Sequence, residues 1–224
     1  MKVYIPENKR VISIKDYEAL ELQRLVEINE FADCLETGLA YGQSACYILD
    51  AASKPRLTSC DPFQTEDYDN IGLKNIQNNG YADRHTYIND KSELALPDLI
   101  KKEIKFDFIF IDGDHKFDGA FIDFFFAAQL LKPNGIVVFH DMWMRSLALT
   151  YSYIRTNRKD FKEIRLHSKN MTAFRKIGSD ERDGMHFREF YSSRSLIRFH
   201  INRLAWENDT YIGKLINSIK AILR

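Results

Sequence analysis

The sequence is poor in cysteine, proline and tryptophan, and it has no excess of charge of either sign. Its 224 residues include three cysteines, five prolines and two tryptophans, and 32 Lys and Arg balance 32 Asp and Glu. Three widely spaced cysteines without a CxxC pair argue against a disulfide framework or a cysteine zinc site, and they favour reduced thiols. A net charge of zero lacks the basic footprint of a general nucleic-acid binder, so we expect no nucleic-acid partner.

Long hydrophobic runs are also absent. The apolar stretches are far shorter than the roughly 18 to 20 residues that cross a bilayer, so we expect no transmembrane segment. The first residues carry Pro6 and charge where a secretory signal needs an apolar run, which predicts a cytoplasmic protein. With 45% hydrophobic and 29% charged residues, the chain has the composition of a globular protein with one core and appendages.

Between residues 32 and 141, short strand-like runs alternate with stretches of helical periodicity, which predicts a βα series. The last two strand-like runs are almost continuously apolar, as strands are when helices cover both faces of a parallel sheet. Ligands bind outside the carboxyl ends of the strands in such sheets. The polar residues that end the five runs should therefore line one edge: Glu36, Asp61, Asn89, Asp112 and Asp141.

Two further extended runs, residues 161–166 and 171–177, follow a helix-compatible stretch and are separated by only four residues. A parallel connection needs a dozen or more residues, so these two strands must be antiparallel. The sequence thus predicts an α/β fold with a parallel sheet and one reversed strand.

The first βα junction contains Gly38 and Gly42, which let the backbone turn tightly and approach a ligand. It is not the GxGxxG dinucleotide fingerprint, because Ala40 takes the place of the middle glycine. An ordinary βα loop without a ligand would show the same features. Asp61, at the end of the second run, is placed to accept hydrogen bonds from ribose hydroxyls, or alternatively to cap a solvated strand end.

Together these segments resemble the class I S-adenosylmethionine-dependent methyltransferases, and most closely the small-molecule O-methyltransferases. The resemblance rests on ETGLAYGQS (36–44), SCDPF (59–63), FDFIFIDGDH (106–115) and LKPNGIVVFHD (131–141), and it covers roughly residues 30–177. It implies a Rossmann-like sheet of seven strands in the order 3-2-1-4-5-7-6, with helices on both faces. The chain would then comprise an N-terminal helical segment (1–30), the methyltransferase domain (31–178) and a C-terminal amphipathic helical extension (184–224).

The resemblance also implies where S-adenosylmethionine (SAM) would bind. One group of residues would surround its methionine part, Asp61 would hold the ribose, and two residues after the third strand would border the adenine. The cofactor-binding positions so implied are Glu36, Gly38, Gly42, Ser44, Asp61, Asp90, Ser92 and Asp112.

In metal-dependent members of that family, positions equivalent to Asp112 and Asp141 bind a divalent ion. Two carboxylates on adjacent strand ends suit Mg²⁺, and His140 as a third ligand would favour Mn²⁺ or Zn²⁺. Catechol-type members have Asn after the second aspartate, where this chain has Met142. A metal is therefore one alternative; in the other, Asp112 serves the cofactor and Asp141 caps the next helix.

His115 is the candidate base, acting with Asp112 and Asp141 on an acceptor hydroxyl, since an imidazole of pKa about 6.5 can take a proton at neutral pH. The predicted activity is transfer of a methyl group from SAM to an oxygen of a small molecule, such as a sugar, a phenol or a related metabolite.

Two alternatives belong to other classes of protein. The first is an NAD-linked Rossmann oxidoreductase, against which Ala40 and the terminal hairpin count. The second is a non-catalytic cofactor-binding subunit whose basic C-terminal part docks another protein or a membrane. The C-terminal helices could also join copies of the chain in a homo-oligomer.

Overall fold

The computed structural model describes residues 1–10 and 13–190. Within them, the strands are Asp33–Thr37 (β1), Arg56–Cys60 (β2), His85–Ile88 (β3), Phe106–Ile111 (β4), Leu131–Phe139 (β5), Phe161–Ile164 (β6) and Thr172–Lys176 (β7). The α-helices are Asp16–Ile28 (α1), Gln43–Leu49 (α2), Ile71–Asn78 (α3), Ser92–Lys101 (α4), Phe117–Leu130 (α5) and Arg145–Asn157 (α6). Single 3₁₀ turns lie at Glu7–Lys9 and Ala82–Arg84.

All seven strands belong to one sheet of order β3-β2-β1-β4-β5-β7-β6. The first five strands pair in parallel, and β7 runs antiparallel to both of its neighbours, β5 and β6. The predicted fold class and strand order are confirmed. Because β1 and β4 are adjacent at the centre of the sheet, their carboxyl ends open side by side.

Helices cover both faces of the sheet, and the apolar sequence of β4 shows why. Phe108 and Phe110 face the layer of α1, α2 and α3, whereas Ile109 and Ile111 face the layer of α4, α5 and α6. All four side chains are buried. A strand covered on both sides has no polar face, which explains the almost continuous apolar run.

The N-terminal helix α1 is part of the first of these layers. Ala19, Leu22 and Val26 are fully buried in the same core as Phe108. The division of the chain into the segment 1–30, the domain 31–178 and the extension 184–224 stays a prediction. Most of that extension lies outside the described residues, and residues 184–190 form neither helix nor strand.

No helix in the described part of the chain is long and apolar enough to cross a membrane.

Candidate active site

The turn between β1 and α2 brings the backbone close to the end of β4. Gly38 and Gly42 both have positive φ angles, +86° and +71°. A Cβ atom on Gly38 would lie 2.3 Å from the carbonyl oxygen of Asp112. Only glycine therefore allows this turn to pack against the strand end that carries Asp112.

Asp61 lies at the end of β2, as predicted, and its carboxylate holds the glycine turn. Oδ2 accepts the N–H groups of Leu39 and Ala40 at 3.0 and 2.8 Å, and Oδ1 accepts the N–H of Phe63 at 2.7 Å. The side chain of Gln64 donates to Oδ2 as well, at 3.2 Å. Since a carboxylate has about four lone-pair positions, a bound ribose would have to share oxygens that already have partners. The role of Asp61 in ribose binding stays a prediction.

Glu36 is fully buried and linked to two serines. Ser44 Oγ lies 2.9 Å from one carboxyl oxygen, and Ser59 Oγ lies 2.7 Å from the other. Burial raises the pKa of Glu36 to about 8. Ser59 Oγ also lies 2.7 Å from Nε2 of His85, whose pKa burial lowers to about 4. At neutral pH a protonated Glu36 can donate to Ser59, which in turn donates to neutral His85.

A cavity of about 310 Å³ opens beside the glycine turn, large enough for a small-molecule ligand. Four of the predicted cofactor residues line it: Gly38, Asp61, Ser92 and Asp112. The remaining predicted positions, Glu36, Gly42, Ser44 and Asp90, are not among the lining residues. Its wall also includes residues that were not predicted as cofactor ligands, such as Tyr68, Lys91 and Lys116.

Next to this cavity, Asp112, His115 and Asp141 converge from the ends of β4 and β5. Nε2 of His115 lies 3.4 Å from Oδ1 of Asp112 and 3.5 Å from Oδ2 of Asp141. One ligand atom from each of the three residues lies within 4.8 Å of the others. Asp141 adopts a left-handed conformation, with φ +54°, directly after β5. Aspartate adopts this conformation more readily than most residues other than glycine.

The charges of this cluster reinforce one another. The hydrogen bond with Asp112 raises the pKa of His115, although burial opposes the shift. Burial alone would raise the pKa of Asp112, but the hydrogen bonds from His115 and His140 lower it. An anionic Asp112 therefore favours a protonated His115, which makes this imidazole a stronger base.

His140, predicted as a metal ligand, is buried behind the two aspartates. Its Nδ1 lies 3.1 Å from Oδ1 of Asp112, and its Nε2 lies 3.2 Å from Oε2 of Glu18. Burial opposes the charged imidazole, but the hydrogen bond and charge of Asp112 help to raise the pKa to about 9. A protonated imidazole has no lone pair for a metal. His115, rather than His140, is the histidine in the group that could hold an ion.

Sequence reasoning missed Glu18 and Asn170, which complete the cluster from two distant elements. Glu18 lies in α1, 122 positions before His140. Asn170 lies between β6 and β7, and its Nδ2 is 3.2 Å from Oδ1 of Asp141. The only sequence signal for Glu18 is its position in the first turn of an amphipathic helix. Carboxylates are common there because they interact favourably with the helix dipole.

A family model described as a methyltransferase domain matches residues 35–142. This segment contains the glycine turn, Asp61 and the cluster of Asp112, His115 and Asp141. The strand order, with its reversed β7, is that of the class I methyltransferases. The chain has the class I methyltransferase fold. No curated protein matches its sequence significantly.

Solved structures show how far the likeness of this methyltransferase fold extends. An O-methyltransferase from Bacillus cereus, in complex with SAH, is 20% identical with a TM-score of 0.65, over 75% of this chain and 85% of that one. The O-methyltransferase TomG from Streptomyces achromogenes, involved in tomaymycin synthesis and solved with SAM, is 16% identical with a TM-score of 0.65. That match covers 79% of this chain and 92% of TomG. At these identities, the shared property is the fold.

Proposed function

We propose that this methyltransferase transfers the methyl group of SAM to an oxygen of a small-molecule acceptor. The observation that carries the proposal is the cavity beside the glycine turn, which has a carboxylate and imidazole cluster at its side. One part can hold the cofactor, and the other can deprotonate an acceptor. The NAD-linked and non-catalytic alternatives gain no support from the family match.

The cavity offers suitable partners for SAM. Both histidine contacts of Asp112 fall on Oδ1, which leaves Oδ2 for the amino group of the methionine part. Gly38 allows close approach of the backbone, while Asp61 and Ser92 line the side that we assign to ribose and adenine. When bound, SAM supplies a methyl group on a positively charged sulfur.

His115 acts as the base in this proposal. Its imidazole takes the proton of the acceptor hydroxyl, the oxygen forms a bond to the methyl carbon, and the bond from that carbon to sulfur breaks, which leaves SAH. Asp112 and Asp141 stabilise the imidazolium that forms, because both carboxylates lie within 3.5 Å of Nε2. Positioning of the two reactants supplies much of the remaining acceleration.

The second candidate mechanism is metal-dependent. Two carboxylates and one imidazole fit a divalent ion, and the nitrogen donor favours Mn²⁺ or Zn²⁺ over Mg²⁺. When bound, such an ion would lower the pKa of a hydroxyl it contacts. His115 would then be a ligand, so the two mechanisms compete for the same imidazole.

Calorimetry and turnover assays test the proposal. We expect SAM and SAH to bind more tightly than NAD, and one member of a panel of phenols, catechols and sugars to be methylated. His115→Ala should lower turnover roughly 10²- to 10⁴-fold, the usual contribution of a positioned base, and leave SAH affinity nearly unchanged. His167→Ala is the matched control, because His167 is exposed and lies outside the cluster. Tighter binding of NAD, or normal turnover in His115→Ala, would contradict the proposal.

The proposal extends to the location and assembly of the enzyme. We place the enzyme in the cytoplasm, because Cys34, Cys46 and Cys60 are all buried and unpaired. Burial raises the pKa of each thiol, which makes all three unreactive. A homo-oligomer formed through the C-terminal helices would depend on residues that lie beyond those described.

A further inference from the structure

A chain of alternating carboxylates and imidazole links α1 to the wall of the cavity. Oε2 of Glu18 lies 3.2 Å from Nε2 of His140, and Nδ1 of the same ring lies 3.1 Å from Oδ1 of Asp112. Asp112 lines the cavity, whereas Glu18 and His140 do not. The direct hydrogen-bonded route from Glu18 to the cavity wall therefore runs through His140 and Asp112.

Glu18 is held rigidly at the start of this chain. Its exposed fraction is 1%. Oε2 also accepts the N–H of Lys15 at 3.0 Å, and Oε1 accepts the hydroxyl of Ser168 at 3.1 Å and that of Tyr17 at 3.3 Å. This carboxylate cannot rotate without breaking several of these hydrogen bonds. Glu18 therefore helps to fix the orientation of the His140 ring.

We infer that Glu18 is a positioning residue of the active site, which acts through His140 to hold Oδ1 of Asp112 and so directs Oδ2 towards the bound cofactor. This inference rests on the proposed function. It assigns a role to a residue of α1, outside the segment 35–142 that matches the family model.

The chain offers a matched control in Glu21, one turn further along α1. Glu21 is also buried, with an exposed fraction of 9%. Its two carboxyl oxygens accept the backbone N–H groups of His167 and Ser168 at 2.6 and 2.9 Å. Glu21 thus supports the same turn between β6 and β7 as Glu18, but its hydrogen bonds go to backbone rather than to His140.

The test is a double-mutant cycle read by calorimetry, with SAH titrated into chelator-treated protein. We expect Glu18→Gln to weaken SAH binding roughly 3- to 10-fold, the equivalent of about one hydrogen bond. In the Asp112→Asn background, the same change should weaken binding less than about 2-fold, because its route to the cofactor is already lost. Glu21→Gln should leave SAH affinity within about 2-fold of the wild type while it lowers the melting temperature.

Turnover provides a second measurement, the KM for SAM, which would not change if Glu18 had only a structural role. With the acceptor found in the panel, Glu18→Gln should raise the KM for SAM, and Glu21→Gln should not, at matched thermal stability. The inference is overturned if the effects of Glu18→Gln and Asp112→Asn are additive, or if Glu21→Gln weakens SAH as much as Glu18→Gln. A wild type that binds neither SAM nor SAH would overturn the proposed function, and this inference with it.

Discussion

Ala40, in the glycine turn, has a backbone conformation that residues other than glycine rarely adopt. It has a positive φ of +45°, in the left-handed region, and its N–H donates to Asp61. A residue with a Cβ atom pays roughly 1 to 2 kcal/mol for this conformation. The turn is therefore strained at the position where the dinucleotide fingerprint has its middle glycine.

Ala40→Gly should stabilise the protein by about 0.5 to 1 kcal/mol, since the strain is relieved and only part of the gain is lost to the greater chain entropy of glycine. The free energy of unfolding in urea measures the effect. Ala45→Gly is the control, because Ala45 is buried inside α2 and the same substitution there should destabilise. Equal destabilisation by both variants would contradict the account of the turn.

At the scale of secondary-structure elements, the side chains of three adjacent strands form one hydrogen-bonded row. Glu36 on β1, Ser59 on β2 and His85 on β3 are joined by two contacts of 2.7 Å. The parallel register places residues 36 and 59 directly opposite each other. The row ties the protonation of His85 to the stability of the strands beneath the cavity.

The contribution of His85 to the free energy of unfolding should decrease as the pH falls. Its pKa is about 4 in the folded protein, and about 6.5 in an unfolded chain. Between these two values the unfolded chain binds more protons than the folded protein. The contribution of His85 to the free energy of unfolding is therefore complete above pH 6.5 and is lost as the pH falls towards 4, by about 3 kcal/mol. Between pH 4 and 7 the free energy of unfolding should therefore rise less with pH, or fall more, in His85→Gln than in the wild type.

Two variants sharpen this experiment. His167→Gln, at an exposed position, should keep the slope of the wild type. Glu36 acts in the opposite direction: its folded pKa of about 8 means that stability declines as pH rises from about 4.5 to 8. Glu36→Gln should remove that decline. An unchanged slope in His85→Gln would show that the imidazole is solvated in the native state.

At the scale of the whole molecule, the candidate active-site cluster gathers groups from distant parts of the chain. Asp112, His115 and Asp141 follow β4 and β5, Glu18 comes from α1, and Asn170 joins from the turn before β7. The cluster thus depends on the packing of α1 and of the terminal hairpin against the sheet.

A titration with metal ions decides between the two mechanisms. If His115 is the base, turnover should survive a chelator, and Mn²⁺ should inhibit, because an ion bound by Asp112, His115 and Asp141 takes the imidazole away from the proton transfer. Asp141→Ala should relieve that inhibition by roughly 10-fold or more in Mn²⁺ concentration. Loss of turnover on chelation and recovery with Mn²⁺ would instead establish the metal-dependent mechanism.

The sequence pattern determined a parallel sheet with one reversed strand, and the resemblance to class I methyltransferases implied the strand order and the approximate location of the candidate site. Alternating strand and helix patterns predict parallel strands, and four residues between the last two strands can connect only an antiparallel pair. Because the carboxyl ends of β4 and β5 are neighbours in that sheet, Asp112, His115 and Asp141 were predicted to act together, and the structure brings them within 4.8 Å.

Only the tertiary structure decided what each side chain contacts. Asp61 accepts the N–H groups of the glycine turn after β1, and His140 is enclosed between Asp112 and Glu18. These contacts depend on the backbone angles of the loops and on the packing of α1, whose Glu18 lies 122 positions before His140 in the sequence. Periodicity reports which face of an element is buried, but it carries no information about which distant polar group meets a buried one.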